Sequence, residues 1–175
     1  MHELFYSPVD VARIIGRHML PITDVMKLTR RIWQEDNAYL QSEYRSDYKK
    51  WALAVMYWSD YMQDKAAMDA EFSAVQEMCG GELSDESMLR DDFDMDLFFK
   101  DLRIRILFIS KNECVWMKLR TLLEDYGYKR RSREFVRFVK DRLYFYHIQT
   151  ALTGNHICDV ETMDRLDDMI TFRVL

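Results

Sequence analysis

Glycine and proline are scarce in this chain, with five and two residues among 175. They supply most tight turns and flexible linkers, so their scarcity argues against a disordered chain and against an all-β fold with many tight turns. Abundant Leu, Met, Lys and Glu instead favour long helices. Since 49% of the residues are hydrophobic and 14% aromatic, the chain can form a substantial core as one domain or as two small ones sharing a core.

Cysteine is also sparse, and its spacing argues against the common thiolate sites. Cys79, Cys114 and Cys158 lie far apart, without the CxxC pairs of many zinc sites, so we expect no metal and no cofactor. No uninterrupted apolar stretch approaches the ~18 residues of a membrane span. The N-terminus carries Glu3 and lacks the apolar segment of a secretory signal. We therefore expect a cytoplasmic protein with free thiols and no membrane contact.

The first part of the chain, residues 1–81, has the pattern of a helical hairpin or small bundle. Ser7 can cap a helix that begins at Pro8 and has Asp10 in its first turn. We expect this helix to end near residue 19. A second helix opens near Pro21 and runs to about residue 40.

The longest predicted helix lies within residues 45–79, a span that contains neither Gly nor Pro. Large apolar and aromatic residues recur there every three or four positions, on one face of a helix: Tyr44, Tyr48, Trp51, Val55, Trp58 and Met62. We expect Gly80 and Gly81 to end the helix. The apolar face belongs to the core or to an interface, so we also consider a homodimer formed through this helical half.

Residues 82–101 are strongly acidic, with eight Asp/Glu and two Lys/Arg, a local charge of −6. We interpret this stretch as a segment that connects the helical half to the rest of the chain. Its aspartates include Asp91, Asp92, Asp94 and Asp96, but the stretch lacks the glycine and the spaced terminal glutamate of a calcium loop. The pattern favours a solvated linker, or a surface for a basic partner, over a metal site.

The pattern changes after the acidic segment. In residues 102–109, apolar and basic side chains alternate, and the pattern then becomes continuously apolar, which predicts a strand. Ser110 can cap a helix that Gly127 ends, and Ser132 can cap a second helix after a short basic turn. The remaining strand and turn patterns cover residues 144–151, 153–155, 157–160 and 169–174.

This order of strand, helix, turn, helix and hairpin resembles a winged-helix module, in which a small sheet backs a helix-turn-helix. The resemblance covers roughly residues 102–175 and concerns the order of elements alone. It implies an α+β fold, with a helical N-terminal half followed by a winged-helix-like module. It also implies that the second helix of the module can enter the major groove of DNA, although a fold by itself does not establish a function.

A basic cluster lies at this predicted helix-turn-helix, in a chain whose net charge is −5. Between residues 118 and 142, nine Lys/Arg face four Asp/Glu, a local charge of +5. Basic side chains at a helix start oppose the positive end of the helix dipole, and a bound phosphate would relieve that repulsion. The predicted phosphate contacts are Lys129, Arg130, Arg131, Arg133, Arg137 and Lys140.

We therefore predict non-catalytic, regulatory binding of nucleic acid, either DNA or RNA. One alternative is a protein-interaction subunit of a larger complex, whose basic helix meets an acidic partner surface. The cluster can also pair with the acidic segment 82–101 of the same chain or of a partner, or form a solvated face; exposed pairs of this kind contribute only ~0–1 kcal/mol each. Tyr126 and Tyr128 can stack on bases, but a tyrosine at a helix end more often packs on the core.

A further alternative comes from two Arg-x4-His patterns, Arg13 with His18 and Arg142 with His147. They resemble the Arg-x4-6-His motif of metal-independent ribonucleases of the HEPN class. The resemblance implies that the arginine steadies phosphate charge while the histidine transfers protons. It covers six residues in each copy, and the family's polar residue after the arginine is replaced by Ile14 or Leu143. We rank this ribonuclease activity third.

Overall fold

The computed structural model of this chain describes residues 4–79, 95–125, 128, 130–152, 156–161, 163 and 165–175, with side chains in 48–79 only as far as residue 63. It combines helices with a three-stranded antiparallel sheet, so the predicted α+β class is confirmed. The chain divides into two compact units, Met1–Phe93 and Asp94–Leu175. No helix in the described ranges is long and apolar enough to span a membrane.

The first unit is helical, as the sequence predicts. It contains α1 (Pro8–Arg17), α2 (Ile22–Glu35) and α3 (Tyr48–Cys79), with short 3₁₀ turns at Asn37–Tyr39 and Ser42–Tyr44. The predicted cap of α1 is confirmed: the Ser7 hydroxyl accepts from the Asp10 N–H at 3.1 Å, and the Asp10 carboxylate accepts from the Ser7 N–H at 2.9 Å. This reciprocal arrangement satisfies two N–H groups at the helix start.

The core of the first unit lies between α3 and the two shorter helices. Trp51 and Val55 of α3 are fully buried, and the Trp51 indole N–H donates to the Thr29 carbonyl of α2 at 3.1 Å. The other four residues of the face predicted from spacing are half-buried: Tyr44, Tyr48, Trp58 and Met62. Gly80 and Gly81 lie outside the described residues, and the homodimer remains a prediction.

In its described residues, the second unit contains four helical segments and the sheet: α4 (Met95–Ile104), a π-helical turn (Arg105–Ile109), β1 (Val115–Lys118), α5 (Leu119–Asp125), α6 (Arg133–Phe145), β2 (Ile148–Ala151) and β3 (Met169–Val174). The strand order is β1-β3-β2, and both pairings are antiparallel. Thr171 of the central strand lies opposite Trp116 of β1 and Ala151 of β2. Thr171 and its two neighbours in the strand, Ile170 and Phe172, are buried, so both faces of the sheet are covered at this point.

The strand predicted at 102–109 is wrong, because this segment completes α4 and forms the π-helical turn. Residues of α4 are buried on all sides, including the charged Lys100, Asp101 and Arg103. Residues 102–109 include only the last three residues of α4, followed by the π-helical turn, so this window is too short to show a helical period and cannot be distinguished from a buried strand by periodicity. The helical run begins at Met95, seven residues before the window that predicted a strand.

Two further predicted boundaries are wrong. The helix expected to begin after Ser110 begins at Leu119, because Val115–Lys118 pairs with β3 instead. Glu113 has a positive φ of 52°, a turn conformation that separates the π-helical turn from this strand. The strand expected over 144–151 is confined to Ile148–Ala151, since α6 continues to Phe145. The predicted strand at 169–174 is confirmed, and the predicted turn at 153–155 lies outside the described residues.

Candidate nucleic-acid interface

Helix α6 carries three of the six predicted phosphate contacts, and its start is well defined. The Ser132 hydroxyl accepts a hydrogen bond from the Phe135 N–H at 3.1 Å, which confirms the predicted N-cap. One side of the helix is buried through Phe135, Val136, Val139 and Leu143. At its other end, buried Arg103 of α4 donates to the carbonyl of Tyr146, the C-cap residue of α6. The helix is therefore fixed at both ends and along one side.

The opposite side of α6 faces solvent. Its exposed residues are Arg133, Glu134, Arg137, Asp141 and Tyr144. Three of them, at positions 133, 137 and 141, lie four residues apart and therefore form one stripe along the helix. Tyr144 is the most exposed, at 85%.

Three predicted phosphate contacts have exposed side chains. Arg130 lies in the turn before α6, and Arg133 and Arg137 lie on its exposed side. Among the residues that the structure describes, none accepts a hydrogen bond or forms an ion pair with these three side chains. Their guanidinium groups are thus available to an anion.

Arg131, by contrast, is engaged within the unit. Its guanidinium donates to the carbonyls of Val160 and Met163, at 2.9 and 2.7 Å. These carbonyls belong to the connection between β2 and β3, so Arg131 joins that connection to the turn before α6. A phosphate could engage this guanidinium only through its remaining donors.

Lys140 is also engaged, by two carboxylates of the same β2–β3 connection. Its ammonium lies 2.8 Å from Asp159 Oδ2 and also contacts Glu161 Oε2. The hydrogen bonds to Asp159 and Glu161 raise the pKa of Lys140 above its ordinary value. Burial opposes ionisation of Asp159, but the hydrogen bonds from Lys140 and from the Glu161 N–H outweigh it and lower the pKa of Asp159. We call Asp159 and Glu161 the loop carboxylates.

Arg142 shows that part of the basic cluster does pair with the acidic segment. Its guanidinium lies 2.7 Å from Asp96 Oδ1, and its Cζ atom lies 3.7 Å from the centre of the Phe138 ring. Both charged side chains are about four-fifths buried, at 18% and 20% exposure. This pair joins α6 to α4 and is part of the packing of the second unit.

The remaining predicted residues of the turn are only partly described. Tyr128 is half-buried, and its ring centre lies 4.8 Å from that of Phe135, which favours the packing role over base stacking. Tyr126 and Lys129 lie outside the described residues.

The two Arg-x4-His patterns lie in different settings. Arg13 is on α1 and His18 is its C-cap residue. In the second pattern, Arg142 is held by Asp96, while His147 follows α6 with a positive φ of 49°. The ribonuclease reading remains a prediction. Within the described ranges, no three His, Cys, Asp or Glu side chains are grouped as a metal site would require.

Sequence patterns do not predict the loop carboxylates, which hold Lys140, one of the predicted phosphate contacts. They lie 19 and 21 positions after Lys140 along the chain (159 − 140 and 161 − 140), too far for any local spacing rule. The sequence offers one hint of them, namely that Asp159 and Glu161 are two acidic residues close together in the segment before β3. Comparisons with protein-family models, with curated proteins and with solved structures find no match to this chain.

Proposed function

We propose that the second unit is a winged-helix module and that its helix α6 binds duplex nucleic acid in the major groove. In helix-turn-helix proteins the second helix enters the groove and its N-terminal residues approach phosphates and base edges. Here α6 would be that helix, α5 the helix before it, and the β2–β3 connection the wing.

The order and pairing of the elements support this assignment. β1 precedes the two helices, and β2 and β3 follow them. All three strands form one antiparallel sheet with β3 in the centre. A helix-turn-helix backed by such a sheet leaves one side of its second helix open to a ligand, and the exposed side of α6 has this property.

The observation that carries the proposal is the set of three exposed arginines at the start of α6. Arg130, Arg133 and Arg137 have no partner in the part of the chain that the structure describes. Exposed guanidinium groups near a helix N-terminus, whose N–H groups also attract anions, are well suited to phosphate. Because the whole chain has a net charge of −5, binding must depend on this local surface rather than on general attraction.

The test measures salt-dependent binding of the full chain to a labelled duplex of about 20 base pairs and random sequence. Three phosphate contacts predict a slope of log affinity against log salt near −2.7, or about a 40-fold loss between 50 and 200 mM salt. Replacing Arg133 and Arg137 together with Ala should reduce this slope to about −0.9.

Arg120→Ala is the matched control. Arg120 is an exposed arginine of the same unit, but it is paired with Asp167 at 2.8 Å. Its loss removes one positive charge, half of that removed by the double variant, from a different surface, so binding should hardly change. Absence of binding at 50 mM salt, or equal slopes for the wild type and the double variant, would refute the proposal and favour contact with an acidic protein surface.

A further inference from the structure

The exposed side of α6 has a restricted set of side chains, and this restriction bears on which base pairs it can recognise. Four of its five exposed residues are charged: Arg133, Glu134, Arg137 and Asp141. The fifth is Tyr144. The exposed positions of α6 include no Asn, Gln, Ser or Thr and no small apolar residue.

Each of these side chains has a preferred base in the major groove. Arginine binds the O6 and N7 atoms of guanine with two hydrogen bonds, and a carboxylate accepts from the N4 amino group of cytosine. Adenine is read by Asn or Gln, and the methyl group of thymine is read by apolar contact. The exposed side of α6 can therefore satisfy both bases of a G·C pair. For an A·T pair it has neither the Asn or Gln that binds adenine with two hydrogen bonds nor a small apolar residue for the thymine methyl group.

We propose, on the basis of the function proposed above, that α6 reads G·C base pairs in the major groove of duplex DNA through Arg133, Arg137 and Asp141. These residues lie on one stripe, and four helical residues advance about 6 Å along the axis. Two base-pair steps advance about 6.8 Å. A helix that follows the groove thus places successive residues of the stripe near every second base pair.

The exposed carboxylates of α6 add discrimination between bases that offer a hydrogen-bond donor and bases that do not. Glu134 and Asp141 are exposed and have no cationic partner among the described side chains. In a groove flanked by phosphates, an uncompensated carboxylate is repelled and loses water without gaining a hydrogen bond. A cytosine N4 or adenine N6 amino group supplies that hydrogen bond, whereas guanine and thymine present only acceptors, O6 and O4, at the corresponding position. The two carboxylates therefore penalise guanine and thymine at the positions that they face, and the arginines supply the preference for guanine over adenine.

Arg131 and Lys140 add to this effect because they are already engaged. The carbonyls of Val160 and Met163 hold Arg131, and the loop carboxylates hold Lys140, so both basic residues contribute little to sequence-independent attraction. With few phosphate contacts, contacts to bases account for a larger share of the affinity. On a non-matching duplex Arg133 and Arg137 contact phosphates, and on a matching one they turn to guanine.

The experiment compares three labelled duplexes of equal length at one salt concentration: one made of G·C pairs, one made of A·T pairs, and the first with every guanine replaced by 7-deazaguanine. The last keeps base pairing but lacks the N7 acceptor. We expect tighter binding to the G·C duplex by about 5- to 150-fold for each two-bond contact, and loss of most of that gain with 7-deazaguanine.

Arg137→Gln is the decisive variant, because glutamine binds adenine in the same way that arginine binds guanine. Selection from a random duplex pool should change a preferred G to A at one position. Arg130→Gln is its control: Arg130 lies in the turn, so the preferred sequence should stay the same while affinity falls for all duplexes.

The outcomes separate the two proposals. Salt-dependent binding that requires Arg133 and Arg137 but is equal for all three duplexes would overturn the G·C reading and leave the proposed function in place. Absence of binding to any duplex at 50 mM salt would overturn both.

Discussion

Replacing both loop carboxylates, Asp159 and Glu161, should increase the affinity of the protein for nucleic acid. Asp159→Asn with Glu161→Gln keeps the size of each side chain and removes the two negative charges that hold Lys140. The ammonium lies on α6 one helical turn beyond Arg137, a position from which a flexible lysine can reach a phosphate. The double variant therefore adds a fourth phosphate contact to the three proposed for the wild type.

The magnitude follows from the number of contacts. Three contacts predict about a 40-fold loss of affinity between 50 and 200 mM salt, and four predict about a 150-fold loss. The measurement is fluorescence anisotropy of a labelled duplex of random sequence, titrated with each protein at four or more salt concentrations. The variant should bind more tightly at 50 mM salt, and the two affinities should converge as the salt concentration rises.

The control adds Lys140→Ala to the double variant. If Lys140 is the new contact, this triple variant should return to the wild-type slope. If the double variant has the same slope and the same affinity as the wild type, the loop carboxylates do not keep Lys140 from binding phosphate, and the prediction is refuted. A steeper slope that persists in the triple variant would assign the gain to some other residue.

Three further changes test the fold. Trp51→Ala removes a fully buried side chain and should lower the free energy of unfolding by about 3–5 kcal/mol, measured by urea denaturation. Asp96→Asn leaves the guanidinium of Arg142 without its carboxylate partner and should cost about 1–3 kcal/mol in the same assay; no measurable cost would contradict the described pair. Hydrogen bonds from Arg120 lower the pKa of Asp167 below its ordinary 3.8, so the charged pair stabilises the fold above that pH. The stability difference between the wild type and Arg120→Ala should therefore be present at pH 7 and disappear as the pH falls through the lowered pKa.

Local sequence patterns determined most of the helices. Ser7 and Ser132 cap the helices that their positions predict, and the span without Gly or Pro forms α3. In these cases the signal lies within a few residues, because caps and helical spacing act over one or two turns. Residues 102–109 include only the end of α4, so their pattern predicts a strand where the chain is helical.

The sequence by itself determined that a basic cluster lies at the start of α6, but the tertiary structure decided which of its charges remain available. Arg130, Arg133 and Arg137 stay exposed. Arg131 bonds to carbonyls 29 and 32 residues away, and Lys140 to a carboxylate 21 residues away. Such contacts depend on where the β2–β3 connection returns over α6. The spacing of residues along a helix predicts contacts only between neighbours on that helix. The path of the β2–β3 connection depends instead on the packing of the whole unit.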